Sequence, residues 1–177
     1  KQDAIGLADK LEELIDEQVD STHDREAAYE AVKRWHDSDA AYAYARANLA
    51  GRLAEAKGMS ALYLVGELEK WARVSLALDP RFRNGAARRM LGTVYVLAPG
   101  SLVKHGDSEE GLELLDKQVS RYPQDPQNHL RLAEGLVSLG DPEAATEQLC
   151  HCQTERDKLR PSERRLLDAM IKTAGGL

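Results

Sequence analysis

Proline placement is the strongest constraint that this sequence puts on its fold. No proline precedes Pro80, and six prolines follow from there to Pro161. Because proline interrupts the interior of a helix or a strand, the first half favours long helices and the second half favours shorter helices with sharp ends. β-Branched residues occur at helical spacing, without period-two alternation, so no strand is predicted. The pattern therefore predicts an all-α protein.

Apolar residues with a period near 3.6, together with capping residues, predict about nine helices. In the first helix, Leu7, Leu11 and Leu14 share one face and acidic residues cover the other. Gly58 is predicted to end the third helix, and Asp79-Pro80 the fourth. The predicted helices span residues 3–19, 22–36, 39–57, 60–78, 83–97, 108–121, 127–139, 142–158 and 162–174.

A spacing of 34 residues separates Gly106 from Gly140, and each of these glycines lies between two apolar helices. Counted from them, Gly111 aligns with Ala145. Small residues let two antiparallel helices approach closely, and larger side chains fill the space between them. The spacing therefore favours a stack of helical hairpins over the alternative, a generic helical bundle.

The repeat resembles the tetratricopeptide (TPR) pattern in three stretches. Its ordered motifs are Gly51…Gly58, then Leu-Gly-x-x-Tyr-x-x-x-Pro-Gly at 91–100, then Gly106-Asp107. That order is similar to the T-component proteins associated with TRAP-type transporters, and to the related regulator-of-microtubule-dynamics group of helical-repeat proteins. The resemblance covers residues 25–174 and implies a TPR-like α-solenoid that works with a substrate-binding protein or self-associates.

The same resemblance implies a periplasmic or outer-membrane-anchored location, with any lipid attached upstream of this chain. The residues alone leave a cytoplasmic location open. One helical-repeat domain is expected over residues 1–177. Its expected parts are N-terminal helices in 1–37, TPR-like hairpins in 38–80, 83–123 and 125–158, and a capping helix in 161–174. Extra residues between Tyr95 and Gly106 should form a surface loop, because an insertion in a hairpin emerges at its turn.

Charge is distributed unevenly along the chain. The net charge is −6, which argues against nucleic acid as a partner, and no apolar run is long enough for a transmembrane span. Residues 80–106 nevertheless contain five basic residues and no acidic one, whereas residues 1–30 are strongly acidic. Arginine suits carboxylates because its planar fork makes paired hydrogen bonds, so this segment is a candidate site for an anion or an acidic partner. Ordinary surface charge is the alternative interpretation.

Two further positions are candidates for ligand contact. Asn48 and Arg52 lie one helical turn apart and share a face, and the first helices of stacked hairpins line the concave surface. Tyr95 and Trp71 each have two possible roles: contact with a ligand, or a purely structural role in the core. The candidate partner- or ligand-binding residues are Asn48, Arg52, Arg81, Arg83, Arg88, Arg89, Tyr95, Lys104 and His105.

No catalytic or cofactor motif stands out, so we expect no enzyme activity, no cofactor and no metal. Cys150-His151-Cys152 resembles a ligand cluster, but residues i and i+2 of a helix point in different directions. Cys152 also falls on a small-residue position of the repeat, where a buried thiol is expected.

The function predicted from these features is a non-enzymatic scaffold that binds a protein partner, as an accessory of a TRAP-type transport system. Two alternatives remain open: a carrier that holds a small ligand in a cavity between helices, and a structural homo-oligomer.

Overall fold

Residues 2–177, which the computed structural model describes, form nine α-helices and three short 3₁₀-helices with no β-strand. The prediction of an all-α chain is confirmed. The α-helices are α1 (Ala4–Glu17), α2 (Thr22–Lys33), α3 (Ala40–Lys57), α4 (Tyr63–Leu78), α5 (Ala86–Leu97), α6 (Ser108–Arg121), α7 (Pro126–Ser138), α8 (Thr146–Thr154) and α9 (Pro161–Thr173).

Helix ends follow the capping residues closely where the caps are strong. Asp107 accepts a hydrogen bond from the backbone of Glu110, and α6 begins directly after it, as predicted. Gly58 has φ of 55° and ends α3 at Lys57, also as predicted. Ser21 and Asp24 cap each other's backbone at the start of α2.

Five predicted helices are at least three residues too long: 3–19, 22–36, 60–78, 83–97 and, most of all, 142–158. α5 begins at Ala86 instead of residue 83, because Arg83, Asn84 and Gly85 all have positive φ and cannot continue an α-helix. α8 covers only Thr146–Thr154, since residues 142–145 form turns before it and a 3₁₀-helix, Arg156–Lys158, follows it.

Successive helices from α3 to α8 pack as antiparallel pairs: α3 with α4, α5 with α6, and α7 with α8. In each pair a side chain near the end of the second helix bonds to a backbone oxygen at the start of the first. These bonds are Ser75 Oγ to Ala40 O (2.9 Å), Gln118 Nε2 to Asn84 O, and Cys152 Sγ to Pro126 O (3.4 Å).

The α5–α6 pair shows why small residues are needed in these contacts. A Cβ atom on Gly92 would lie 2.7 Å from Cγ of Leu115 and 3.0 Å from the carbonyl oxygen of Gly111. A side chain at Gly92 would therefore push the two helices apart. This agrees with the role predicted from the sequence for small residues between paired helices.

Buried apolar side chains form four clusters in chain order. One joins α1 to α4 around Leu49, the next joins α3, α4 and α5 around Leu91, the third joins α5 to α7 around Leu115, and the last joins α7 to α9 around Leu149. Trp71 is half-buried between the first two clusters. Among residues 2–177, no helix combines the length and the apolar character needed to cross a membrane.

Candidate functional site

A cavity of about 660 Å³, partly open to solvent, has walls formed mainly by the odd-numbered helices. α3, α5 and α7 are the first members of the three antiparallel pairs, and α1 and α9 complete the wall. Its volume is within the range typical of small-molecule sites. The second helices of the pairs contribute few residues to the cavity wall. The residues that face the cavity therefore come mainly from the first helix of each pair.

The wall closes because the first helix of the chain contacts the last. We call the polar contacts between α1 and residues 160–165 the closing seam. They are the ion pair of Arg160 with Glu12 (3.0 Å), the hydrogen bonds from the Ser162 backbone and hydroxyl to Asp16, and the bonds from Arg165 to the carbonyl oxygens of Ile15 and Asp16. Arg165 thereby binds two carbonyl groups in the last turn of α1, where Ile15 O also accepts the backbone N–H of Gln18.

Glu12 is the centre of the seam and of the cavity wall. Its two carboxylate oxygens accept four hydrogen bonds: from Arg52 Nε at 2.7 Å, from Arg52 Nη2 and Asn48 Nδ2 at 2.8 Å, and from Arg160 Nη2 at 3.0 Å. Burial by itself disfavours the charged form, but the two guanidinium groups outweigh it and lower the pKa of Glu12 from 4.5 to about 2. Glu12 is therefore ionised at neutral pH and joins α1, α3 and α9.

Arg52 is held from two sides in the same network. Burial would lower its pKa, but Glu55 and Glu12 together raise it. The guanidinium is therefore a fixed positive charge in the wall.

Two further arginines of the cavity wall, Arg83 and Arg89, belong to the basic segment 80–106. Arg83 makes a bidentate ion pair with Asp9 of α1, with distances of 2.7 and 2.6 Å. Arg89 donates to Asn128 at 2.8 Å and to Gln127 at 2.9 Å, and its Nη1 lies 3.5 Å from Asp125. Both arginines therefore contact other helices of the same molecule.

One pair of charged residues lies on the α7 side of the cavity. Arg131 Nη1 donates to Glu134 Oε2 at 2.7 Å, and both side chains are half-buried. Across residues 2–177, the structure gives each of these two side chains no other hydrogen bond. This pair is consequently the least constrained charge pair of the wall.

The α5 side of the cavity is largely apolar. Met90, Val94 and Leu97 line it from successive turns of the helix, and Ala47 and Leu68 extend the apolar surface from α3 and α4. A site with one apolar wall and one charged wall suits a ligand with an apolar body and a polar group, because each part then has a matching environment.

Four of the nine residues that the sequence proposed line this cavity: Asn48, Arg52, Arg83 and Arg89. The other five lie elsewhere. Arg81 is exposed, and Arg88 contacts Gln118 Oε1 at 3.3 Å, where burial and the nearby Arg121 lower its pKa. Tyr95 is buried in the core against Gly106.

Lys104 and His105 contribute through their backbones. Their N–H groups donate to the two carboxylate oxygens of the buried Glu69, at 2.9 and 2.8 Å, while their side chains are exposed. Val103 of the same segment is buried against the α3–α5 core. The predicted loop between Tyr95 and Gly106 is therefore bound to α4 through Lys104 and His105, and its residues 99–106 do not line the cavity.

The sequence interpretation missed Glu12, Arg131, Glu134, Arg160 and Glu163, all of which line the cavity. A signal for one pair was present, since Arg-Leu-Ala-Glu occurs at both 52–55 and 131–134. Both copies lie on first helices and place an arginine and a glutamate in the wall. Glu12 and Arg160 carried no such signal, because they are far apart in the chain.

Cys150-His151-Cys152 lies away from this cavity. Cys152 is fully buried, as predicted, and burial raises the pKa of its thiol to about 12, whereas Cys150 is exposed. His151 stacks on His129 with ring centres 3.7 Å apart. In the described part of the chain, no three His, Cys, Asp or Glu side chains are grouped so that they could hold a metal ion.

Comparison of the chain with models of protein families finds no match, and comparison with curated proteins finds none either.

Proposed function

We propose that this protein is a non-enzymatic binding protein that holds a small ligand in this cavity. The observation that carries the proposal is the cavity of about 660 Å³, which has a largely apolar side on α5 and charged groups on α1, α3, α7 and α9. Walls from several helices can contact a bound ligand on more than one side, and fixed charges orient it. The carrier alternative drawn from the sequence therefore becomes the leading function.

A TPR-like arrangement of the helices is part of this proposal. The antiparallel pairing of α3 to α8 and the 34-residue spacing of Gly106 and Gly140 support it. Each of the three first helices also places two residues, three positions apart, in the cavity wall: Arg52 and Glu55 in α3, Met90 and Thr93 in α5, and Arg131 and Glu134 in α7. A role as the T-component of a TRAP-type transport system, in the periplasm, rests on the motif resemblance and is proposed on that ground.

A variant that fills the cavity tests this function. Thr93 is half-buried on the cavity side of α5, so Thr93→Trp would occupy space that a ligand needs. Lys117→Trp on α6 is the matched control, since Lys117 is exposed and outside the cavity. Native mass spectrometry of each freshly purified protein measures any bound mass above the 19.6 kDa of the chain.

We expect a bound small molecule on the wild type and on Lys117→Trp, and its loss from Thr93→Trp. An unoccupied wild-type protein, or equal occupancy of all three proteins, would contradict the proposal.

Binding of an acidic protein partner is the second candidate, and the basic segment favours it. Arg81, Arg88 and Lys104 make no ion pair within residues 2–177, so their charges remain available outside the cavity. A second copy of the chain is the simplest acidic partner, since residues 1–30 are strongly acidic. Light scattering should then give a mass well above 19.6 kDa that returns to the monomer value in Arg81→Glu/Lys104→Glu. A monomeric wild type would remove self-association.

A further inference from the structure

We propose that Arg131 and Glu134 recognise the head group of a small zwitterion with an apolar side chain, the chemistry of an apolar α-amino acid. This inference rests on the proposed function, since it assigns a ligand class to the same cavity. In it, the ligand carboxylate binds Arg131 and the ligand ammonium binds Glu134, while the apolar side chain lies against α5.

The other charged groups of the wall are already committed to structural partners. Glu12 accepts four hydrogen bonds, which fills its capacity, and Arg52 is bound to both Glu12 and Glu55. Glu163 accepts the backbone N–H of Arg160 at 2.9 Å and so caps the start of α9. Using any of these groups for a ligand would weaken a helix end or the closing seam.

Arg131 and Glu134 can change partners at lower cost. Their only hydrogen bond in the described chain is the one between Nη1 and Oε2, so the remaining guanidinium N–H groups and the second carboxylate oxygen are unused. They lie three residues apart on α7 and face the cavity together. A carboxylate and an ammonium group on neighbouring ligand atoms can bind alongside this pair, each opposite its complement.

The net charge of the lining disfavours a ligand with a net negative charge. Five arginines and six acidic residues line the cavity, so the wall carries a net charge of −1. An anion would add to this excess of negative charge in a partly enclosed site, which is costly. A zwitterion adds equal and opposite charges and avoids this penalty.

The apolar part of the ligand has a surface within reach of the same pair. α5 packs against α7, and Met90, Val94 and Leu97 line the cavity from α5. Burying an aliphatic side chain against them adds affinity in proportion to the apolar area removed from water.

Four probes with a shared branched apolar body test the head group by titration calorimetry on the full chain. L-Leucine is the zwitterion, 4-methylpentanoate carries only the carboxylate, 3-methylbutylamine carries only the ammonium, and 4-methylpentanamide is uncharged. We expect leucine to bind at least about tenfold more tightly than each of the others, because each charged hydrogen bond contributes that much or more.

Variants of the pair should switch this preference. Glu134→Gln leaves Arg131 unpaired and should favour the carboxylate probe over leucine, whereas Arg131→Met leaves Glu134 unpaired and should favour the amine. If the residue had only a structural role, its substitution would change the affinities for all four probes by a similar factor. Glu113→Gln is the matched control: it neutralises the glutamate of an exposed pair with Lys117 on α6, and the preference for leucine should persist.

The outcomes separate the two proposals. If the uncharged probe binds as tightly as leucine, or if the two variants keep the wild-type order of probes, the zwitterion inference is wrong and the cavity remains a binding site. If none of the four probes binds the wild type, the zwitterion inference is also overturned, and the native mass measurement described above decides the proposed function separately.

Discussion

The α5–α6 pair and the closing seam are held by opposite kinds of contact. Between α5 and α6, Gly92, Gly111 and Leu115 pack without space for an added Cβ atom. At the seam, Glu12 and Arg160 join α1 to α9 through charged and polar groups. Apolar packing depends little on pH or salt, whereas ion pairs depend on both. The α5–α6 pair is therefore stabilised by apolar packing between neighbouring helices. The contact between the first and last helices, which closes the cavity wall, is stabilised by charged and polar groups.

The largest effect on the free energy of unfolding should come from a substitution that creates a cavity between α5 and α6. Leu115→Ala removes a fully buried side chain between α5 and α6 and should lower the free energy of unfolding by about 3 to 4 kcal/mol. Leu139→Ala is the matched control, because Leu139 is 46% exposed and should lose less than about 1 kcal/mol. Urea denaturation measures both. Similar losses for the two variants would show that the α5–α6 contact is not close-packed.

A smaller loss should follow from removing the central charge of the seam. Glu12→Gln leaves Arg52 and Arg160 without their shared carboxylate and should lower the free energy of unfolding by about 2 to 3 kcal/mol at pH 7. Glu113→Gln removes an exposed carboxylate and should cost less than about 0.5 kcal/mol. Equal effects would contradict the structural role of Glu12.

The pH dependence of this same variant sharpens the comparison. The pKa of Glu12 is depressed from 4.5 to about 2 in the folded protein, so its stabilising effect is present above pH 4.5 and is lost as the pH falls toward 2. The stability difference between wild type and Glu12→Gln should therefore shrink across that window. The difference between wild type and Leu115→Ala should stay nearly constant, since no charge is involved.

The smallest effect is expected at the exposed ion pair between α1 and the turn before α5. Asp9→Asn removes the partner of Arg83, and both side chains are more than 40% exposed. Solvent screening limits the expected loss to about 0.5 kcal/mol at low salt. At 1 M salt, where the Debye length is about 3 Å, the difference should vanish. A loss that persists at high salt would mean that Asp9 acts by packing instead of by charge.

Local patterns in the sequence were enough to predict the helices. The cap at Asp107 and the glycine at Gly58 act within one turn, and the structure has helix ends at both places. The start of α5 was predicted wrongly because Arg83 and Asn84 take positive φ, which is uncommon for arginine. That backbone brings Arg83 to Asp9, a residue 74 positions away, so no local pattern reports it.

The candidate site was predictable only in part, for the same reason. Asn48 and Arg52 were found because two polar residues one turn apart share a helix face, and both line the cavity. Glu12 and Arg160 were missed because their contact spans 148 positions and depends on the path of every helix between them. The excess of arginine in residues 80–106 was visible, but its division between cavity and surface was not. Arg88 and Arg89 are adjacent on α5 and only Arg89 lines the cavity, while Arg81 and Arg83 precede that helix and only Arg83 lines it.

Methyl-labelled methionine NMR with L-leucine tests the central claim most directly, because the three methionines report on three places. Met90 lines the cavity, Met59 is 82% exposed outside it, and Met170 packs in the C-terminal cluster. We predict that titration with leucine shifts the Met90 signal and leaves those of Met59 and Met170 in place. A shift of Met59 instead, or no shift of Met90 at saturating leucine, would contradict the binding of leucine in the cavity.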